Sequence, residues 1–505
     1  MDSSESVLIM VYFTDFFNIN EDVLNQYGAF NISLINDLPL FIDPFLLYAS
    51  KKEEYKKLHE GILDYLLFLK EKSEDGYLTE AEIKSWYKFS EVKQNWLGYS
   101  ISGNSGSGLG LKFGKAMSDN MHVVYSDLNK EMITQTSHME KVGLFQLGVG
   151  RDNISDFSCN LIKSYLLEYT EKFAKKYLQV KQTKKVNVPK VYFDYELERW
   201  MSKEFVLPFY NNDYIILTPK DLLTKDENWI NSHDLRGHFL EICGSIPNDQ
   251  LRSEINSFYF SRLPSPTRIK GRNTQKQPTL KEIAIAVNRT IQQYPELLDF
   301  YIKQKEENKE GAKNISKEKV LEVETLFKSN VQYLIHELLK QSEFYSLPPE
   351  GSLNEALKRV LYLKDFIENK DGYKLFYYKN EPIKREADLQ VIYRLTWYSS
   401  PFDVNREVNN GRGPVDYTVS KGSRDKTLIE FKLASNSKLR MNLENQVKVY
   451  EEANDTKQSI KVIMYFNDVE YVKLMKVLKE LNLENDPNIV LIDARDNKLS
   501  ASNVK

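Results

Sequence analysis

Two short runs in the last quarter of the chain hold residue types that can do chemistry: Gly413-Pro414-Val415-Asp416 and, after 13 further residues, Glu430-Phe431-Lys432. Each run belongs to a stretch that alternates apolar and polar residues. Val415, Tyr417 and Val419 should face a core with Asp416 and Thr418 turned away, and Ile429, Phe431 and Leu433 should do the same with Glu430 and Lys432 on an open face. The midpoint of positions 416 and 430 falls in Lys421-Gly422-Ser423-Arg424-Asp425, which has turn composition. A hairpin centred there sets Asp416 opposite Glu430, with Cβ atoms about 5 Å apart. Two carboxylates that close repel unless a proton or a cation lies between them. An all-oxygen pair suits a hard ion such as Mg²⁺ or Mn²⁺, which binds through one or two carboxylates and keeps waters or phosphate oxygens as its other ligands. Lys432, one pleat from Glu430, would then hold an attacking water and offset charge developing at phosphorus.

The elements needed to place these groups are legible around them. From about Gly351 the pattern gives a helix over Asn354–Glu368, a second over Ile383–Tyr398, the two strands, a helix, a strand over Ser459–Phe466, a helix and a last strand. That order predicts an α/β sandwich with a mixed central sheet over roughly 150 residues.

With the motif and its elements together, the region over residues 380–500 resembles the PD-(D/E)XK nuclease superfamily, the fold of many restriction endonucleases and repair nucleases. The resemblance implies that Asp416 and Glu430 bind the metal, Mg²⁺ or Mn²⁺, and that Lys432 is the catalytic lysine. It also implies a glutamate on the helix before the sheet, matched by Glu386 in Arg385-Glu386-Ala387-Asp388, with Asp388 as a competitor. RecB-like members carry QxxxY on the helix after the second motif, matched here by Gln446-Val447-Lys448-Val449-Tyr450, whose outer side chains lie one helical turn apart. The implied activity is metal-dependent hydrolysis of phosphodiester bonds in DNA, in a restriction-like or antiviral defence effector. An inactive fold serving as a nucleic-acid-binding scaffold, or a nuclease for RNA or DNA junctions, are the alternatives. The resemblance leaves a homodimer or a partner subunit open, and no interface can be read from the residues.

Charge agrees locally with a polyanionic substrate. The whole chain is balanced, with Lys+Arg 69 against Asp+Glu 72, so no global field draws it onto nucleic acid. Between Gly411 and Lys448, however, eight basic residues face four acidic ones, two of which are the expected metal ligands. Arg412, Arg424, Lys426, Lys438 and Arg440 are the candidate phosphate contacts.

The other two thirds are less specific. The chain has 505 residues, enough for two to four domains, and its 41% hydrophobic and 12% aromatic content excludes a largely disordered chain. The expected division is an α/β recognition or sensing domain over 1–190, a mainly helical middle over 191–350 and the nuclease domain over 351–505, an α/β multidomain protein. Two cysteines, Cys159 and Cys243, are too few for a disulfide framework or a cluster of iron and sulfur, so a reducing cytoplasmic setting is expected. No run of about 18 uncharged apolar residues predicts a membrane span. Val7–Phe13 reads as a first strand, Leu38–Leu47 as extended, Glu53–Glu71 as a helix, Lys181–Lys190 as a linker and Asp213–Thr218 as a strand. Pro264–Pro278 and the charged Lys303–Lys319 read as exposed loops. The glycine-rich Ile101–Gly110 lacks Walker spacing and reads as a surface loop. Asp43, the Arg151–Asp156 segment and the pair His233 and His238 read as turn and helix-start residues before they read as sites.

Overall fold

The structure is a computed structural model. It describes residues 12–34, 37–74, 78–98, 114, 117–118, 121, 125, 133–145, 150–225, 227–264, 278–329, 351–370, 372–378, 381–382, 386–397, 402–409, 414–421, 425–446 and 458–496. In chain order the elements used below are α1 (Glu53–Glu74), α2 (Arg151–Leu161), α3 (Lys163–Tyr177), β1 (Thr183–Asp194), β2 (Arg199–Tyr210), β3 (Asp213–Tyr214), α4 (Leu297–Glu307) and α5 (Lys309–Val323). They continue with α6 (Ser352–Asn369), α7 (Glu386–Leu395), β4 (Asp403–Asn409), β5 (Pro414–Lys421), β6 (Asp425–Leu433), β7 (Ser459–Tyr465), α8 (Asp468–Glu480) and β8 (Ile489–Asp493).

The C-terminal sheet has five strands in the order β8-β7-β6-β5-β4. β4, β5 and β6 run antiparallel to one another, while β6, β7 and β8 are parallel, so the sheet is mixed. One face carries Tyr417, Val419, Ile429, Phe431, Ile460, Val462, Met464 and Ile492, all buried, beneath Val360, Leu363 and Phe366 of α6 and Leu389 and Tyr393 of α7. The other face holds Ile463 and Tyr465 against Leu439 and Leu443 of a short helical segment and Leu474 and Leu478 of α8. The expected α/β sandwich is therefore present, but both faces of the sheet are covered. Thr418 and Glu430 are buried and Lys432 is only partly exposed, so the expected open face does not exist in that form. The strand β4 is an addition to the expected order. It pairs with β5 from Asp403↔Ser420 to Asn409↔Pro414.

Several front-region expectations are corrected. Of the expected first strand, residues 7–11 lie outside the described residues, Tyr12 makes a lone bridge to Ser33, and Phe13 opens a helix because Asp15 accepts the Tyr12 N–H at 2.8 Å. In the expected extended run Leu38–Leu47, Leu38 makes an isolated bridge to Leu97 and Phe41–Ile42 pairs with Leu223–Thr224, but Asp43 accepts the Phe45 N–H and starts a helix over Phe45–Ala49. Lys181–Lys190 is no linker: most of it forms β1, whose Val188 and Val191 are fully buried on either side of a bulge. Lys303–Lys319 is no loop either. It forms the end of α4 and most of α5, which bury Glu306, Ala312, Ser316 and Val320 at helical spacing, a stripe hidden by the surrounding charge. Only two residues of the expected Asp213–Thr218 strand pair. The helix over Glu53–Glu71 is present as α1. Residues 265–277 and Ile101–Gly110 lie outside the described residues. Arg151–Asp156 is the first half of α2, and His233 and His238 are exposed at a short helix capped by Asn231. Among the described residues no helix is long and apolar enough to cross a membrane.

Candidate active site

The hairpin register is the expected one. Asp425 pairs with Lys421 and Ile429 with Tyr417, where the paired ladder ends; the same offset carried one residue further sets Glu430 against Asp416. The ladder does not close there by backbone alone: the Asp416 carboxylate itself accepts the Phe431 N–H at 2.6 Å. Its side chain thus takes the place of a backbone acceptor and is fixed against β6. The first residue of α7, Glu386, is brought to the same spot by two anchors. Tyr417 Oη donates to the Gln390 carbonyl at 3.0 Å, and the Tyr393 ring packs on Phe431 at a 5.0 Å centroid distance. Glu386 Oε1 accepts from the Leu433 N–H at 3.3 Å and from Asn436 Nδ2 at 2.9 Å, which turns Oε2 toward the hairpin.

All three acids converge on one ammonium. Lys432 Nζ lies 3.3 Å from Glu430 Oε1, 3.5 Å from Glu386 Oε2 and 3.7 Å from Asp416 Oδ2, and donates to the Phe431 carbonyl at 3.0 Å. The side chains of Lys432 and Glu430 are 12% and 11% exposed against 28% for Glu386, so access is on the Glu386 side. Burial pushes the Asp416 carboxyl up to about 6, against the opposing pull of Lys432 and the Phe431 N–H, and Glu430 is raised by burial as well. Burial disfavours the Lys432 ammonium, but the three carboxylates outweigh it and hold the lysine above its usual range. The three acids outnumber the two ammonium groups in reach, Lys432 and Lys461, the latter opposite Glu430 on β7.

These donors are all hard oxygens with a residual negative charge, and in that respect they fit a divalent ion of the Mg²⁺ class. Their spacing is set by the lysine: among the described residues no group of three or more His, Cys, Asp or Glu side chains is gathered closely enough to hold a metal ion by itself.

The remaining expected site residues fall in different places. Gln446 ends the short helical segment after β6, with its side chain outside the described residues, as is that of Asp388 on α7. Tyr450, Arg412 and Arg424 lie outside the described residues. Lys438 is exposed in the turn after β6. Lys426 stands at the opposite end of β6 from Lys432, about 20 Å away along the strand. Arg440 is engaged by Glu480 at 2.7 Å and Glu444 at 3.6 Å, and so ties the short helix to α8.

Two contributors escaped the sequence reading. Lys461 could have been found from Ser459-Ile460-Lys461-Val462, whose alternation puts it on the face of Glu430. Asn436, in the turn Ala434-Ser435-Asn436-Ser437, carries no sequence signal for its hydrogen bond to Glu386. Its expected effect is specific: Asn436→Ala leaves Glu386 Oε1 with the longer backbone bond alone, and turnover in the reaction proposed below should fall roughly tenfold with little change in KM or melting temperature. An equal loss in stability and none in turnover would make Asn436 a turn residue only.

Outside this cluster, Asp43 is consumed by the N–H groups of Phe45 and Trp229, the latter at 2.8 Å, and burial pushes it up to about 6. That is the turn role expected for it.

Two families match parts of the chain. One described as "Domain of unknown function (DUF8370)" matches residues 18–231, and one described as "Domain of unknown function (DUF8371)" matches residues 352–468. No curated protein and no solved structure matches the chain.

Proposed function

We propose that the chain is a metal-dependent phosphodiester hydrolase of the PD-(D/E)XK type, acting on DNA through the cluster Asp416, Glu430, Lys432 and Glu386. The observation that carries this reading is the convergence of three carboxylates from two strands and a helix on one half-buried lysine. A structural ion pair needs one acid. Three acids around one ammonium, with Asp416 and Glu430 held against their own protonation, is an arrangement that costs stability, and such arrangements concentrate at catalytic sites. Asp416 and Glu430 would hold Mg²⁺ or Mn²⁺, with Glu386 as the third carboxylate; when bound, the ion supplies a Lewis acid for the phosphoryl oxygens. Lys432 orients the attacking water and offsets the negative charge on the oxygens of the pentacoordinate transition state. Asn436 and the Leu433 N–H hold Glu386 turned toward that water.

Supercoiled plasmid incubated with the full chain should be nicked in Mg²⁺ and intact in EDTA, and Glu430→Gln should be inactive while retaining its circular dichroism. Nicking by Glu430→Gln at the wild-type rate would reject the assignment. One observation favours a second reading, a nucleic-acid-binding scaffold without turnover: the Lys432 ammonium already gives each carboxylate a cationic neighbour. That reading expects DNA to be retained in EDTA and cut by neither protein. Parallel RNA and junction substrates decide the substrate class.

A further inference from the structure

The strand β1 and the end of α3 carry an unusual run of charge. From residue 172 to residue 193 there are seven lysines (Lys172, Lys175, Lys176, Lys181, Lys184, Lys185 and Lys190) and no acid, on a chain of net charge −3. All seven are exposed. The acids that the fold brings near are already used: Glu171 by Lys175 at 3.0 Å and by the Val206 N–H, Glu204 by Lys185 at 2.7 Å, and Glu168 by Lys203 at 2.8 Å. Among the described residues Lys172, Lys176, Lys181, Lys184 and Lys190 have no carboxylate within ion-pair distance. Lys184 and Lys176 lie over the rings of Phe209 and Tyr177, at 4.5 and 4.8 Å from the centroids, which holds their stems down while leaving their charge uncompensated.

Two ordinary explanations cover parts of this run. Lysines on an outer strand discourage edge-to-edge pairing, and β1 is the outer strand of its sheet. Lysines in the last turn of a helix complement its dipole, which accounts for Lys175 and Lys176. Neither explains why Lys190 is placed beside a second cation. It sits at the β1 bulge with a positive φ of 50°, its Nζ reaching the Lys88 carbonyl at 3.5 Å, so that the two exposed cations Lys88 and Lys190 are neighbours. Placing like charges together costs energy that a bound polyanion returns.

Chemistry, rather than spacing, selects the polyanion: Lys181 lies in the turn before β1, and Lys184 to Lys190 covers about 20 Å of a strand that the bulge interrupts. Lysines are point charges that suit phosphate oxygens without reading bases. We propose that β1 and the C-terminal turn of α3 form a sequence-independent docking surface for the phosphate backbone of duplex DNA, separate from the catalytic cluster; the choice of DNA rests on the proposed hydrolase activity, whereas the surface itself needs no turnover.

The test is fluorescence anisotropy of a labelled 30-base-pair duplex with the full chain in EDTA, as a function of salt. The quadruple variant Lys172→Glu, Lys176→Glu, Lys181→Glu, Lys184→Glu should bind at least tenfold more weakly, and the corresponding Gln variant should show a salt slope flatter by about 0.9 for each phosphate that is no longer neutralised. Unchanged affinity and slope in both quadruple variants would overturn the surface, even if the wild type cleaves DNA. Binding to vesicles of anionic phospholipid that depends on these lysines, with no binding to the duplex, would overturn it too. Lysine-dependent duplex binding by a wild type that never cleaves supports the surface while removing the hydrolase reading.

Discussion

Lys432→Ala is expected to lower Mg²⁺-dependent nicking of supercoiled DNA about 10³-fold, the scale on which removing one charged participant in a phosphoryl transition state is felt. The geometry sets that expectation. The ammonium is within 3.7 Å of all three carboxylates and is the cation shared by them, so its loss removes the group beside phosphorus and also the main influence keeping Asp416 and Glu430 ionised. Both acids should then titrate higher still, and the residual activity of the variant should recover in part as pH or Mg²⁺ concentration rises, because a divalent ion competes with protons for the same oxygens. A lysine that merely braces the sheet predicts something else: a lower melting temperature, unchanged single-turnover rate on the folded fraction, and no altered pH profile. Single-turnover nicking from pH 6 to pH 9, paired with melting curves, separates the two. Lys432→Arg is a useful companion. It keeps the charge but places a wider, planar group among three acids at fixed distances, and should recover folding more fully than turnover.

How far the residues themselves revealed this arrangement depends on which physical signal each element carries. The hairpin was readable because its alternation is strict: Tyr417, Val419, Ile429, Phe431 and Leu433 are all buried on one face, and the register read from the turn midpoint agrees with the Ile429↔Tyr417 pairing. Glu386 is identified through the resemblance alone, with Asp388 as a competitor; nothing in the residues shows that it opens the helix that Tyr417 and Phe431 pin to the sheet. β4 stayed hidden because Asp403-Val404-Asn405-Arg406-Glu407-Val408-Asn409 is mostly polar, although the following Asn410-Gly411 is a hairpin signal. The lysines of β1 masked a strand for a related reason: an outer strand solvated along one side needs few apolar residues, and Val188 and Val191 are separated by a bulge that breaks the alternation. α5 was obscured because its buried stripe includes the small residues Ala312 and Ser316, which pack closely against neighbours without raising the local hydropathy. The covering of the second sheet face was not legible either. It depends on Leu439 and Leu443 returning from a segment with little periodicity of its own.

Asp416→Asn is expected to stabilise the protein at pH 8 while abolishing its activity, and the size of the gain should depend on pH in a defined window. Burial lifts the Asp416 carboxyl from the usual carboxylate range to about 6, so the native state holds this proton more tightly than the unfolded chain does. Stability therefore falls as pH rises from about 4 to about 6 and stays reduced above that, the opposite of the usual salt-bridged carboxylate. A displacement of about two units corresponds to about 3 kcal/mol at most, and about 1–3 kcal/mol is the reasonable range for a carboxylate that also loses attraction to Lys432. The amide keeps an acceptor for the Phe431 N–H and carries no charge, so the variant should melt several degrees above the wild type at pH 8, with the difference vanishing near pH 4. Asp43, also raised to about 6, titrates in the same window in both proteins and cancels in the comparison. Mg²⁺ offers the converse check: by binding only the native state it should raise the wild-type melting temperature at pH 8 and leave that of Asp416→Asn unchanged. A variant that melts lower than the wild type by the same amount at pH 4 and pH 8 would show that the carboxylate is there to complete the ladder at Phe431, and the case for a strained, ion-seeking pair would fail with it.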